Sequence, residues 1–301
     1  MDSSFYILGV FMAISSGVLN ILGNMLNKKV VNDVNQTSHE KFFRQLIKNP
    51  VWLAGLLLQL GASPVLLILA IAWIGPALTP GLMALGLIVL AIGAVRITGE
   101  KLVRSEMIGI LLMIVAIFFL GLSNLAIDVP GFDYTESGFL SRTSIFTVIL
   151  FVISIAFKLL SRNNKRLRGI LLALVSGLML SLSNFWISVL EGTIIHVFGG
   201  QASALQWFLF ISSAGILVAT NFYAVFILQE AFKSGQASNL LPVQQVPIQI
   251  APIFVYFVVF AAYLFNPIST LSPVWMFLGI GMIIVSSFLL GKRQAKMESI
   301  K

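Results

Sequence analysis

Apolar residues gather into nine long runs separated by short polar gaps: Phe5 to Asn27, Val51 to Ile74, Thr79 to Ile97, Ile108 to Asn124, Ser144 to Leu160, Ile170 to Leu190, Ala204 to Leu228, Asn239 to Leu264 and Val274 to Leu290. Crossing roughly 30 Å of hydrocarbon takes about 20 mostly apolar residues, so each run is a candidate span. Lipid offers no partner to an open backbone, and these runs lack the short alternation of barrel strands, so helices are expected. The pattern predicts an all-α polytopic membrane protein with about nine transmembrane helices.

Composition agrees. Of 301 residues 58% are hydrophobic and only 10% charged, with a mean hydropathy of +0.99, well outside the range of soluble domains. The net charge of +8 would suggest nucleic acid, but its distribution argues for topology instead. Lys28, Lys29, Lys41, Arg44 and Lys48 fill the first gap, Arg96, Lys101 and Arg104 the third, and Lys158, Arg162, Lys165, Arg166 and Arg168 the fifth. Lys233 lies in the seventh, and Lys292, Arg293, Lys296 and Lys301 form the tail. With nine spans all of these share one side, while the other carries Asp2, Asp128, Asp133, Glu136, Glu191 and only Arg142. The positive-inside rule then puts the N-terminus outside and the C-terminus inside a cell membrane. The first run follows Asp2 and two serines rather than a basic segment, so it reads as a retained span. Nucleic acid is not an expected partner; membrane lipids are, because basic clusters beside a membrane attract anionic headgroups.

The runs also resemble one another in order. Gly109 and Gly121 match Gly279 and Gly291, with Ile110/Ile280, Ile114/Ile284, Val115/Val285, Phe118/Phe288 and Leu120/Leu290 between them. Ser16-Gly17 with Asn24 matches Ser176-Gly177 with Asn184, and Ala77-Leu78-Thr79-Pro80 matches Asn239-Leu240-Leu241-Pro242. This divides the chain into a first four-helix repeat (1–126), an external loop and connector helix (127–166) and a second four-helix repeat with a basic tail (167–301). A single connecting span forces the second copy to insert upside down, giving a 4+1+4 inverted repeat of the kind transporters use for alternating access around a midplane site.

Polar side chains within the runs mark candidate solute contacts, since they are costly in hydrocarbon and tend to face an interior. Asn20 and Asn24 follow Ser16 at helical spacing; Gln59 precedes Ser63-Pro64; Gly177, Ser181, Asn184, Ser188 and Glu191 form a stripe; Asn221, Gln245 and Gln249 complete the set. The substrate-binding candidates are Asn20, Asn24, Gln59, Ser181, Asn184, Ser188, Asn221, Gln245 and Gln249. The same residues would also serve close helix packing, each polar contact worth about 1 kcal/mol. Glu191, beside His196, is the coupling candidate. Glu230, near Lys233, reads as a residue of a helix end, and Glu100, near Lys101 and Arg104, as an interfacial ion-pairing or structural residue. Pro80, Pro242 and Pro247 are hinge candidates, with Pro64, Pro76 and Pro252 as further breaks in helix bonding.

Enzymatic chemistry is not expected. The chain has no cysteine, and it shows no diphosphate-binding Asp cluster, zinc-protease motif, phosphate-binding loop or convincing Ser/His/Asp set. No catalytic residue and no cofactor is assigned, and metal ligands are left open. The preferred function is a secondary transporter or facilitator for a small polar solute or hydrated divalent cation. The alternatives are a membrane-embedded lipid-modifying enzyme or a lipid scramblase, and a homodimer stays open.

Several landmarks resemble the drug/metabolite transporter superfamily, in particular its NIPA-type magnesium transporter branch: Ser15-Ser16 with Asn27-Lys28-Lys29, Asn49-Pro50-Val51-Trp52, Pro76-Ala77-Leu78-Thr79-Pro80, Glu100, and Leu228-Gln229-Glu230-Ala231-Phe232 followed by Pro242. The resemblance implies an α-helical transporter with a central path, and magnesium among its possible substrates. Where that branch carries an acidic residue in span two, this chain has Gly61-Ala62-Ser63-Pro64. An amide-lined path suits neutral or zwitterionic metabolites as well as a hydrated ion.

Overall fold

The computed structural model describes residues 3–34, 39–74, 79–83, 85–100, 102–123, 132–200, 202–261 and 271–298. Asp2, Pro76 to Leu78, Lys101, Asn124, Asp128, Leu264 and Lys301 lie outside the described residues, as do the side chains of Phe5, His39, Lys41, Pro80, Arg293 and Lys296. The described chain is helical: α1 Ser3–Asp33, α2 His39–Lys48, α3 Pro50–Leu57, a π-helical turn Leu58–Ala62, α4 Ser63–Ile74, α5 Thr79–Met83, α6 Gly86–Arg96, α7 Arg104–Leu122, α8 Ser137–Asn163, α9 Arg168–Phe198, α10 Ala204–Ser234, α11 Ala237–Phe254 with a second π-turn Val255–Val259, and α12 Ser272–Glu298. Among the described residues, eight helical stretches are long and apolar enough to cross a membrane. The window from Thr79 to Ile97 is instead divided between α5 and α6. The eleven residues of α6 rise only about 16 Å at 1.5 Å each.

Local sequence explains the starts. The Asn49 side chain accepts from the amides of Val51 (2.9 Å) and Trp52 (3.3 Å), ahead of Pro50 at the first helical position, where a missing N–H costs nothing. Glu106 accepts from Val103 N at 2.8 Å to begin α7. Ser203 and Gln206 cap α10 reciprocally, at 2.8 and 3.3 Å. The first gap holds the amphipathic α2, whose Phe42 and Leu46, one turn apart, are fully buried while Arg44 and Lys48 are exposed. Such a helix is suited to lie at a membrane surface. Pro64 follows the first π-turn, and its missing N–H leaves Leu60 O inside that turn without the usual i+4 partner.

The chain forms two compact units: Met1–Asn124 with Gln229–Val243 and Ser269–Lys301, and Leu125–Leu228 with Gln244–Ile268. In unit 1, α1 packs against α3, α4, α5 and α6, and α7 packs along α12. A Cβ on Gly17 would collide with the carbonyl of Met83, and one on Gly86 with the carbonyl of Gly17. This backbone contact falls where the third window is divided. Near the start of α7 a Cβ on Gly109 would lie 2.8 Å from Leu290, and near the start of α12 one on Gly279 would lie 2.8 Å from Leu120. The two helices therefore run antiparallel with start facing end, and the Ser286 hydroxyl donates to Gly109 O at 2.7 Å. Phe119 and Trp275 stack across the same pair.

Unit 2 is organised around α9 and an aromatic core of Phe132, Tyr134, Phe139, Phe185, Trp186 and Phe260. Arg142, the one cation on the expected outer side, donates to Val259 O at 2.8 Å. It thereby satisfies a carbonyl at the end of the second π-turn. A Cβ on Gly177 would collide with Gln244 O.

Gly17→Val and Gly177→Val should each cost about 1–3 kcal/mol through overpacking and lower the melting temperature in detergent by several degrees. Gly61→Ala, which faces open space, should leave it nearly unchanged.

Candidate functional site

The sequence-derived polar residues fall into both units, and each unit arranges its own share. In unit 1, Asn24 Nδ2 donates to Asn20 O at 3.0 Å and to Asn20 Oδ1 at 3.2 Å, while Gln59 Nε2 donates to Asn24 Oδ1 at 2.7 Å. Asn20, Asn24 and Gln59 are thus brought together where α1 meets the first π-turn. One turn away the Ser16 hydroxyl donates to Ser63 O at 2.8 Å. Asn27, one turn further along α1, faces Gly55. Gln59 Oε1, both polar atoms of Asn27, both of Gln229 and Trp52 Nε1 are buried without a hydrogen-bond partner. Such atoms cost about 1–3 kcal/mol each.

In unit 2, Ser176 Oγ donates to Ala224 O at 2.8 Å and accepts from Gln244 Nε2 at 2.8 Å. Asn221 donates to Ser183 Oγ and to Leu217 O, and Gln249 donates to Gln245 Oε1 at 3.4 Å. Ser181 returns its hydroxyl to Gly177 O on its own helix at 2.8 Å. Asn184 is exposed halfway along α9, Ser188 is half-buried and Glu191 is exposed. The stripe from Gly177 to Glu191 is therefore graded: it begins in backbone contact and ends in the open. Ser176 was legible in the sequence only as part of the repeated Ser-Gly pair, and Ser183, which meets Asn221, not at all, because a serine inside an apolar run gives no sign of its partner.

Near the C-terminal end of α9, Asp133, Tyr134, Thr193, His196 and Gln206 line a pocket of roughly 320 Å³. Its wall depends on Gly192, where a Cβ would strike the Tyr134 ring. The Thr135 hydroxyl (2.6 Å) and amide (2.9 Å) both donate to Asp133 Oδ1 and hold that carboxyl below its ordinary range. A depressed carboxylate stabilises at and above neutral pH, and that contribution is lost only as pH falls through the lowered value.

The charged residues of unit 1 have structural partners that the sequence did not reveal. Lys28, 5% exposed, donates to Phe232 O and Gly235 O at the C-terminal end of α10. Glu100, 7% exposed, accepts from Ala237 N (2.8 Å), Ser238 N (3.1 Å) and Ser238 Oγ (2.7 Å) at the N-terminal end of α11. Gly99, at φ 69°, turns the chain out of α6 immediately before it. Glu106 accepts from Asn239 Nδ2 at 2.9 Å. Cation at a C-terminus and anion at an N-terminus is the arrangement the helix dipole favours. Lys233 from α10 sits 3.4 Å above the Phe42 ring of α2. Among the described residues no three His, Asp or Glu side chains are grouped to hold a metal.

Glu100→Ala should lower stability by about 1–3 kcal/mol, since it leaves buried donors unpaired, and should speed amide hydrogen exchange at Ala237 and Ser238. Glu100→Gln, which keeps one acceptor, should fall between the two. Lys28→Met should loosen exchange around residues 232–236 rather than at 237–238.

Comparison with protein-family models, with curated proteins and with solved structures finds no match to this chain.

Proposed function

We propose that this chain is a secondary transporter or facilitator, built of nine spans in a 4+1+4 inverted repeat, that moves a small polar solute or hydrated divalent cation across the cell membrane by alternating access. On this reading α5 and α6 together form the third span, the N-terminus lies outside and the C-terminus inside.

The observation that carries the reading is one contact made twice. In unit 1 the serine of Ser16-Gly17 donates to a carbonyl of α4 and the glycine meets the backbone at Met83. In unit 2 the serine of Ser176-Gly177 donates to a carbonyl of α10 and the glycine meets the backbone at Gln244. The sequence pairs these helices as first with sixth, second with seventh and third with eighth. The reciprocal Gly109–Leu290 and Gly279–Leu120 contacts of the antiparallel α7 and α12 supply the same support for the fourth and ninth. Exchange of such halves is how inverted repeats open a site to either side.

The linked amides of unit 1, the Gln245–Gln249 pair and the open Asn184 suit a solute that forms hydrogen bonds. Magnesium, which the family resemblance suggests, would have to keep its water shell in such a path, because Mg²⁺ dehydrates reluctantly and is commonly held through carboxylates. Glu191 remains the candidate for ion or proton coupling, and Pro242 and Pro247 for the bending of α11.

Uptake into proteoliposomes from a panel of divalent cations, amino acids, nucleosides and cationic drugs should give flux for at least one class, and folded protein giving none would sink the proposal. Asn184→Ala, an exposed position, should cut that flux several-fold at unchanged yield and melting temperature. Asn24→Ala and Gln245→Ala should also reduce flux. Equal loss of flux and folding in all three would assign the amides to helix packing instead.

A further inference from the structure

In unit 1, Ala91, Ile92 and Val95 of α6 with Leu102 and Met107 line a groove of roughly 510 Å³. That is within the size range of small-ligand sites, about 300–1,000 Å³. Glu100 completes the lining, but both its oxygens are engaged by the start of α11. Arg96 closes α6, one residue beyond Val95, and Arg104 opens α7, two beyond Leu102. Both guanidinium groups are exposed, and neither has an ion-pair partner among the described residues.

An apolar trough, with an exposed arginine one helical turn from Ile92 on α6 and another one turn from Met107 on α7, complements a molecule with a hydrocarbon tail and an anionic head. Guanidinium binds phosphate oxygens with two parallel N–H bonds, and basic side chains at the inner membrane surface attract anionic lipid. The headgroup ammonium of a zwitterionic lipid offsets that attraction. From this we infer that the groove holds one acyl chain of an anionic phospholipid from the leaflet on the basic side, with its headgroup on Arg96 and Arg104. A chain seated over Glu100 also excludes water from the hydrogen bonds that begin α11, so occupancy strengthens the α10–α11 turn. The inference needs the chain to lie in a membrane and does not depend on transport.

Native mass spectrometry of the delipidated full chain, titrated with phosphatidylglycerol or phosphatidylcholine at equal concentration, tests it. We expect a single-lipid adduct several-fold more abundant with phosphatidylglycerol. That preference should disappear in Arg96→Gln/Arg104→Gln and persist in Lys165→Gln/Arg166→Gln. Ala91→Trp, which fills the groove without touching charge, should reduce the adduct with either lipid, and Ile92→Phe serves if the tryptophan variant does not fold. Amide exchange at Ala237 and Ser238 should slow on adding phosphatidylglycerol to the wild type and not to the double glutamine variant. Equal retention of both lipids by the wild type, an undiminished preference in the double variant, or full retention after the groove is filled would each overturn the assignment.

Discussion

Backbone N–H and C=O groups removed from water must find partners, and in a helical membrane protein the difficulty concentrates at helix ends. Unit 1 answers it between α10 and α11 with full charges. Lys28 meets the outgoing carbonyls, Glu100 meets the incoming amides, and Glu106 holds the side chain of the next residue, Asn239. Each charge has the sign the local dipole favours, so groups that would be liabilities if buried alone are compensated by backbone. The clamp fixes the start of α11, the helix that also carries Gln244, Gln245, Gln249 and three prolines.

Away from helix ends, lipid supplies no hydrophobic drive for one apolar helix to prefer another, so close packing and hydrogen bonds decide which helices associate. Gly17 and Gly177 let backbone meet backbone, and the adjacent serines donate to a neighbouring helix. Each pair fixes one tight crossing in its own unit. The same device thus serves in both units.

Charge and amide play different parts. Lys28, Glu100, Glu106 and Arg142 are engaged with backbone or with side chains near helix ends. What remains along the helices is mainly carboxamide and hydroxyl, partly self-satisfied as in Asn20–Asn24–Gln59 and partly open as at Asn184.

Much of the helical architecture was legible in the sequence, because hydropathy and helical period are local properties and lipid makes helix the only outlet for a long apolar run. The small residues Ser16-Gly17 and Ser176-Gly177 were legible as a repeated pair, and Asn20 with Asn24 as one helical face. Partnership was not. Lys28 read as one more basic residue of a gap, yet it is buried on the end of α10; Glu100 read as an interfacial or structural residue, but the helix it caps lies more than a hundred positions away in the chain. Ser181 belonged to a polar stripe and bonds its own helix, and the third run is divided where Gly17 presses on Met83. Sequence determined which segments leave water, since that follows from transfer of each side chain taken singly. Only tertiary structure decided which polar groups meet, because that depends on where helices cross, and the crossing is set by contacts between residues remote in the chain.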